Sequence, residues 1–281
     1  MSILPVDADE IARNVAAALA EDIGSGDLTA DMLPAQAKLS ANVICREFTV
    51  LSGQAWFVAV YAAVSPEVEV VFKHEDGTQI AADSVVCTVS GPARAVLSGE
   101  RAALNFIQTL SGTATTAFHF VQKVHVDAHT QILDTRKTLP GLRQAQKYAV
   151  RCGGGTNHRM GLYDAILIKE NHIQAAGSIA NAVGFAKQHH PDIKVEVEVE
   201  SIPELREAIA AKSDIVMLDN FSVDMIRDAV AMSFGVVKLE VSGNVTLETI
   251  PLLSSLGVDY ISSGAITKDV KSIDFSMRFV S

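Results

Sequence analysis

From residue 130 onward one rhythm restricts the fold. Short apolar runs recur, each with polar residues at or near its end: "QILDTRKT", "AILIKENH", "KVEVEVES", "DIVMLDN", "VKLEVSG" and "DYISSGA". Stretches with helical spacing, such as "IPELREAIAAK" and "SVDMIRDAVAM", separate most of them. Parallel strands need long crossovers, normally helical, so strand–helix–strand alternation predicts a parallel α/β array. The spacing gives six units between about 130 and 267. A closed eight-unit barrel takes about 250 residues. A smaller or incomplete barrel is therefore expected, with a doubly wound sheet as the alternative.

Parallel strands bring their C-terminal ends to one rim, where barrel active sites lie. In chain order those ends carry Arg136 and Lys137, Lys169, Glu198 and Glu200, Asp219, Ser242-Gly243-Asn244, and Ser262-Ser263-Gly264. Any strand must exit through polar residues. Six ends with cations on one side and carboxylates on the other predict a pocket. The alternating glutamates of "EVEVE" must also point somewhere in a sheet covered by helices, and the barrel interior is the expected destination. A buried carboxylate needs a partner, for which Lys169 and Lys137 are the candidates.

The chain before residue 130 reads differently. Residues 6–22 place Ile11, Val15, Ala18 and Leu19 at helical spacing. "EDIGSGDLT" follows as a loop. "LSANVICREFTVLSG", "VEVVFKHEDGTQI" and "SVVCTVSG" are β-rich and broken by turns such as Asp76-Gly77. A helix is expected from near Ser98, breaking at Gly112 and resuming through Phe118, Val121 and Val124. These features predict an α+β domain with an antiparallel sheet.

Composition decides which ligands are plausible. Among 281 residues, 48% are apolar and 20% charged, as in ordinary globular proteins, and the net charge of −10 argues against a general nucleic-acid role. Against that acidity, "KYAVRCGGGTNHRMGL" gathers Lys147, Arg151, His158 and Arg159 around three consecutive glycines. Glycine sacrifices packing and backbone entropy, so the segment predicts a local site for a small, densely anionic ligand. Cys45, Cys87 and Cys152 have no metal-ligand spacing, and an odd, sparse count fits a reducing compartment. The stretch "MSILPVDADEIARN" lacks an apolar signal core. No run approaches about 18 uninterrupted apolar residues, so no membrane span is expected. A cytoplasmic protein follows as the expectation.

The groups permit a specific chemistry. Arg136, Arg159, Lys137, Lys169 and His158 suit carboxylates or phosphates, arginine bidentately and lysine as a point charge. Glu198 and Asp219 suit Mg2+ or sugar hydroxyls. "SGN" and "SSGA" offer small side chains and backbone N–H groups to a terminal phosphate. An activated ribose phosphate would use all three sets, and a second, carboxylated substrate the remaining arginines. Two other classes stay open: a Schiff-base aldolase with Lys169 as nucleophile, and a non-catalytic anion-binding protein.

The segments "EDIGSGDLT", "ERAALNFIQTLSG", "DTRKTLPGLR", "KYAVRCGGGTNHRMGLYDAILIKENH", "EVEVES", "MLDN", "EVSGN" and "SSGA" together resemble the quinolinate phosphoribosyltransferase family, end to end. One departure is that "HEDGTQIAADSVV" lacks the second glycine expected in the sheet region. The resemblance implies an N-terminal α+β sandwich over 1–113, an open α/β barrel over 114–269, and a tail, 270–281, returning to the first domain. It implies transfer of phosphoribosyl from phosphoribosyl pyrophosphate to quinolinate with Mg2+, releasing pyrophosphate and CO2. The product is nicotinate mononucleotide, for NAD synthesis. A related transferase using nicotinate or another aromatic acid is the near rival.

Carried over by motif, Arg136, His158, Arg159 and Lys169 contact quinolinate. Lys137, Glu198 and Asp219 serve the ribose, pyrophosphate and metal, with metal contacts direct or through water. Ser242, Gly243 and Gly264 lie at the phosphate, and Thr135, Asn244 and Ser263 join the substrate-binding set. Lys137, Lys169, Glu198 and Asp219 form the catalytic group, and either lysine could protonate the ring carbon after decarboxylation. Arg101 in "ERAALN" is implied to reach the active site of the neighbouring subunit, in a homodimer or higher even oligomer.

Overall fold

The computed structural model describes residues 6–280, so residues 1–5 of the expected first domain and Ser281 of the expected tail lie outside the described residues. The chain divides into two compact units. One holds the residues up to Phe118, Thr138–Gly154 and those from Ala265 onward; the other holds His119–Lys137 and Gly155–Gly264.

In the first unit, α1 (Ala8–Asp22) starts at Asp7, whose carboxylate accepts the Asp9 N–H, and carries Asp9 and Glu10 in its first turn. Both features stabilise a helix N-terminus. Then follow β1 (Lys38–Cys45), β2 (Thr49–Val50), α2 (Gln54–Val64), β3 (Glu69–Phe72), β4 (Gln79–Ile80) and β5 (Ser84–Pro92). Ala41, Val43 and Cys45 are buried on alternate positions of β1, the period of a strand with one face on the core. The α2 N-terminus is capped from a distance. Asp76 accepts the N–H groups of Gly53 and Gln54, 3.1 and 3.3 Å away, and the hydroxyl of Tyr148 at 2.8 Å. In the turn of the segment short of a glycine, Asp83 itself takes the left-handed conformation, φ 59°, which aspartate tolerates better than most residues.

The helix expected from Ser98 differs from expectation. α3 runs unbroken from Ala93 to Gln122. It starts earlier because β5 leads straight into it, and Gly112 does not interrupt it. A Cβ at Gly112 would collide with the Lys271 carbonyl oxygen, so the glycine serves a close backbone approach and not a helix end. Val96, Ala103, Leu104, Ile107 and Leu110 of α3 join Trp56, Phe57, Val60 and Tyr61 of α2 in one core. α4 (Arg143–Cys152) adds Ala145, Ala149 and Cys152 to it.

The second unit is a six-stranded parallel sheet: β6 (Gln131–Leu133), β7 (Ile166–Ile168), β8 (Val195–Val199), β9 (Ile215–Asp219), β10 (Lys238–Ser242) and β11 (Tyr260–Ser262). Its order is β6-β11-β10-β9-β8-β7. The progression from β7 to β11 never reverses, whereas a doubly wound sheet does, and β6 closes onto β11. Among the described residues β6 and β7 do not pair, which leaves the barrel incomplete at that seam. Beside it, Thr156 forms a short parallel bridge to β6: its N–H donates to Ile132 O at 2.8 Å, and Asp134 N–H donates to Thr156 O at 3.2 Å.

Helices α5 (Glu170–Ala176), α6 (Ile179–His189), α7 (Ile202–Ala210), α8 (Val223–Ser233) and α9 (Ile250–Ser255) return the chain between strands. Ser178, Ser201 and Ser222 cap α6, α7 and α8 by accepting N–H groups three residues on. Val195, Val197, Val199, Val216 and Leu218 are fully buried, as expected of strands covered on both faces. The chain then re-enters the first unit through α10 (Ala265–Lys268) and β12 (Phe275–Phe279). β12 pairs antiparallel with β1, giving the order β12-β1-β5-β3. Among the described residues no helix is long and apolar enough to cross a membrane.

Candidate active site

One rim of the parallel sheet collects most of the residues singled out above. Thr135, Arg136 and Lys137 follow β6, and Lys169 follows β7. Glu198 lies in β8, Asp219 ends β9, and Ser242 ends β10 with Gly243 and Asn244 beyond it. Ser263 and Gly264 follow β11. Arg101 is exposed on α3, in the first unit.

The carboxylates and ammonium groups interlock. Lys169 Nζ and Glu198 Oε2 form an ion pair at 2.5 Å, with the lysine side chain about half exposed. Burial raises the Asp219 carboxyl above its ordinary range, and the Glu198 charge raises it further; Lys169, Lys137 and the Asn220 amide act the other way. Glu198 and Asp219 thus stand close enough on neighbouring strands to repel one another, with two ammonium groups balancing them.

The guanidinium groups show the converse. Burial lowers the Arg159 pKa, and the Arg136 charge lowers it further, while Glu196, Asp164 and Glu198 oppose both. Two partly buried guanidiniums in mutual repulsion form a receptor that an anion would relieve.

His158 is fixed at every polar atom of its turn that these contacts reach. The fully buried Asp134 accepts the His158 N–H at 2.9 Å and the Asn157 amide at 2.6 Å. The ring Nδ1 accepts the Arg159 N–H at 2.7 Å. Nδ1 is therefore unprotonated, and Nε2 carries the proton. Nε2 faces Glu196 Oε2 at 3.0 Å and Glu240 Oε2 at 3.5 Å. Glu240 is fully buried. Burial, then the Glu196 charge, push its carboxyl well above the usual range.

The fifth and sixth strand ends are shaped by small residues. Gly243 has φ 90°, and a Cβ there would run into the Asn220 amide oxygen. Asn244 also lies in the left-handed region, φ 50°, and donates to the same oxygen at 3.4 Å. A Cβ at Gly264 would lie 2.7 Å from Lys137 Cδ and 3.4 Å from Thr135 Oγ1. Its absence leaves room for the Lys137 stem, and Lys137 N–H donates to Thr135 Oγ1 at 3.1 Å.

One expectation changes. Glu200 lies beyond β8 and is exposed, with its N–H donated to the Glu204 carboxylate in the first turn of α7. Of the glutamates in "EVEVE", then, Glu196 is buried, Glu198 is at the rim and Glu200 is outside. Lys147 and Arg151 belong to the first unit and His158 and Arg159 to the second. The former pair sits on α4, Lys147 fully buried and the Arg151 guanidinium 5.9 Å from the Tyr148 ring centre. The residues that sequence reasoning passed over are Asp134, Asn157 and Glu240. Glu240 had a signal: a lone glutamate within the apolar run "VKLEVSG" faces the same question as "EVEVE".

Comparison with known proteins places the chain in a family. Residues 27–111 match the family model for the N-terminal domain of quinolinate phosphoribosyl transferase, and residues 113–278 match that for its C-terminal domain. A probable nicotinate-nucleotide pyrophosphorylase [carboxylating] of Bacillus subtilis is 43% identical over 92% of this chain and 89% of its own length. The chloroplastic nicotinate-nucleotide pyrophosphorylase [carboxylating] of Arabidopsis thaliana is 39% identical over 93% of this chain and 80% of its own. The solved nicotinate-nucleotide pyrophosphorylase of Francisella tularensis superposes with a TM-score of 0.96 at 47% identity, over 100% of this chain and 99% of that one. The chain belongs to the quinolinate phosphoribosyltransferase family.

Proposed function

We propose that the chain transfers phosphoribosyl from phosphoribosyl pyrophosphate to quinolinate with decarboxylation. The products are nicotinate mononucleotide, pyrophosphate and CO2, and the reaction supplies NAD synthesis. The observation that carries this reading is the paired charge of the rim: Arg136 and Arg159 held against each other for a dianion, opposite Glu198 and Asp219 with Lys137 and Lys169 between. The same geometry disfavours a Schiff-base role, because Lys169 is already ion-paired with Glu198.

Glu198 and Asp219 present oxygen donors alone, close enough to repel, a set suited to Mg2+ and not to a zinc cage. When bound, Mg2+ neutralises charge on the pyrophosphate leaving group. The remaining work falls to the chain. Arg136, Arg159 and Lys169 hold the quinolinate carboxylates so that the ring nitrogen faces the anomeric carbon. Its lone pair forms the C–N bond as the bond to pyrophosphate breaks. The carboxylates of Glu198 and Asp219 stabilise the positive charge developing on the ribose. The pyridinium nitrogen then accepts electron density as the adjacent C–C bond breaks and CO2 departs. The electron pair left on that carbon takes a proton from Lys137 or Lys169. Binding must be firm enough to orient that carboxylate and weak enough to release it. Ser242, Gly243, Asn244, Ser263 and Gly264 line the place for the 5′-phosphate, with Thr135 beside Lys137.

The active unit is a homodimer, or a higher even oligomer, in which the partner subunit's Arg101 adds a cation to the quinolinate site. A cytoplasmic setting agrees with three buried cysteines that remain free thiols. The test is a coupled assay for pyrophosphate and CO2. Equimolar products with quinolinate, little turnover with nicotinate, and loss of activity on chelation with recovery on adding Mg2+ are expected. Equal use of nicotinate would sink the substrate assignment, and full activity after exhaustive chelation the metal assignment.

A further inference from the structure

We propose that Glu240 is a positioning residue for the quinolinate end of the site, acting through Glu196 and the His158 ring to fix the turn that presents Arg159. This deepens the functional reading above and rests on it.

Three observations carry the inference. First, Glu240 is fully buried in β10 between two strands of the parallel sheet. Burying a carboxyl there is unfavourable compared with an apolar residue of similar shape, and the flanking Leu239 and Val241 are apolar. A polar group that costs stability in the core marks a functional requirement more often than a packing one. Second, its oxygen, the Glu196 oxygen and His158 Nε2 all lie within 4.8 Å of one another, at 3.0 and 3.5 Å from the ring. Third, the opposite edge of that ring accepts the backbone N–H of Arg159. The imidazole is thus a strut. One nitrogen faces Glu196 at 3.0 Å and Glu240 at 3.5 Å, the other accepts from the backbone of Arg159, and Asp134 anchors the same turn through Asn157 and the His158 N–H.

The strut reading also explains the charge. With Nδ1 accepting the Arg159 N–H, that ring nitrogen carries no proton beside the Arg136–Arg159 pair. Burial and then the Glu196 charge push the Glu240 carboxyl well above the usual range, which disfavours negative charge beneath an anion site. A divalent metal in the same three-ligand cluster is the rival reading, and it would pull the ring toward the ion and away from Arg159.

The test uses the full-length wild type, Glu240→Leu and Glu240→Gln. With Glu240→Leu, KM for quinolinate should rise about tenfold or more, the size typical of lost support behind a binding residue. KM for phosphoribosyl pyrophosphate should change less than about twofold. Glu240→Gln, which keeps the shape and hydrogen-bonding capacity, should recover most of the loss. Equal shifts in both KM values, or none in a folded protein, would overturn the positioning role. If Leu prevents folding, Glu240→Met carries the same expectation, and failure of both to fold would assign Glu240 to structure instead. Metal analysis of the purified wild type completes the test: a transition metal stoichiometric with the chain would overturn the strut reading. Absence of quinolinate turnover by wild type removes the functional reading itself. Normal wild-type turnover with an unchanged Glu240→Leu removes only the positioning role.

Discussion

Arg159 shows how a single residue can be prepared for a ligand it has not met. Its charge is disfavoured by burial and by Arg136, and in the proposed function two carboxylates relieve that repulsion on arrival. A monocarboxylate would release less. Replacing Arg159 with methionine, which keeps much of the apolar stem, should cost about 1.5–3 kcal/mol of transition-state stabilisation with quinolinate. The cost should be smaller with nicotinate. The check is the ratio of kcat/KM for the two acids, which should fall in the variant; an unchanged ratio would mean that Arg159 does not read the second carboxylate. At this scale the sequence revealed what sits at strand ends, because a polar residue closing an apolar run has one place to go. It hid what sits inside. Glu240 reads as an ordinary polar position within a strand until Glu196 and His158 are brought beside it. Lys147 and Arg151 stand close to His158 and Arg159 in sequence, and adjacency does not show that the chain passes from one unit to the other at the three glycines.

At the scale of elements, glycines account for details that periodicity alone does not give. Periodicity reveals which face of a helix is apolar, but a glycine reads alike whether it ends a helix or admits a neighbouring backbone. Gly112 is the second kind. Gly112→Ala would normally favour a helix by about 1 kcal/mol. Here the methyl meets the Lys271 carbonyl, and overpacking should reverse the sign, destabilising by about 1–3 kcal/mol. Thermal unfolding of the variant is the check, and a raised Tm would show that the 271–272 segment yields easily. The triple glycine divides its tasks similarly. Gly153 lies where a Cβ would strike the Ala114 carbonyl of α3, and Gly154 turns the chain at φ 85°. The six strands and their order were far more legible, since each is a short, largely buried run between helical segments and the sequential winding follows from helical crossovers.

At the scale of the molecule, Arg101 is the residue whose proposed role needs a second copy. Nothing in its spacing assigns it to the barrel rim, and it lies exposed on α3. If each active site borrows the partner subunit's Arg101, then Arg101→Ala and Lys169→Ala should each be nearly inactive, and subunit exchange should restore activity. A mixed dimer carries one site with both defects and one with neither. Recovery toward half of the wild-type rate per dimer is expected. Heterodimers that form without recovering activity would confine Arg101 to its own chain or to no role.

The pairing of β12 with β1 has a consequence for how the protein is made. Synthesis delivers residues 38–45 long before residues 275–279, yet the two strands are neighbours in one sheet. While the ribosome is still translating, β1 has β5 on one side and an open row of hydrogen-bonding groups on the other, a surface prone to capture foreign strands. The second unit, by contrast, needs nothing after Gly264. Nascent chains should therefore acquire a protease-resistant barrel first, while the earlier-made unit waits for residues 275–279 to emerge from the exit tunnel. Pulse-labelled, stalled chains ending before Phe275 would test that order, with the N-terminal unit expected to be the one that is digested.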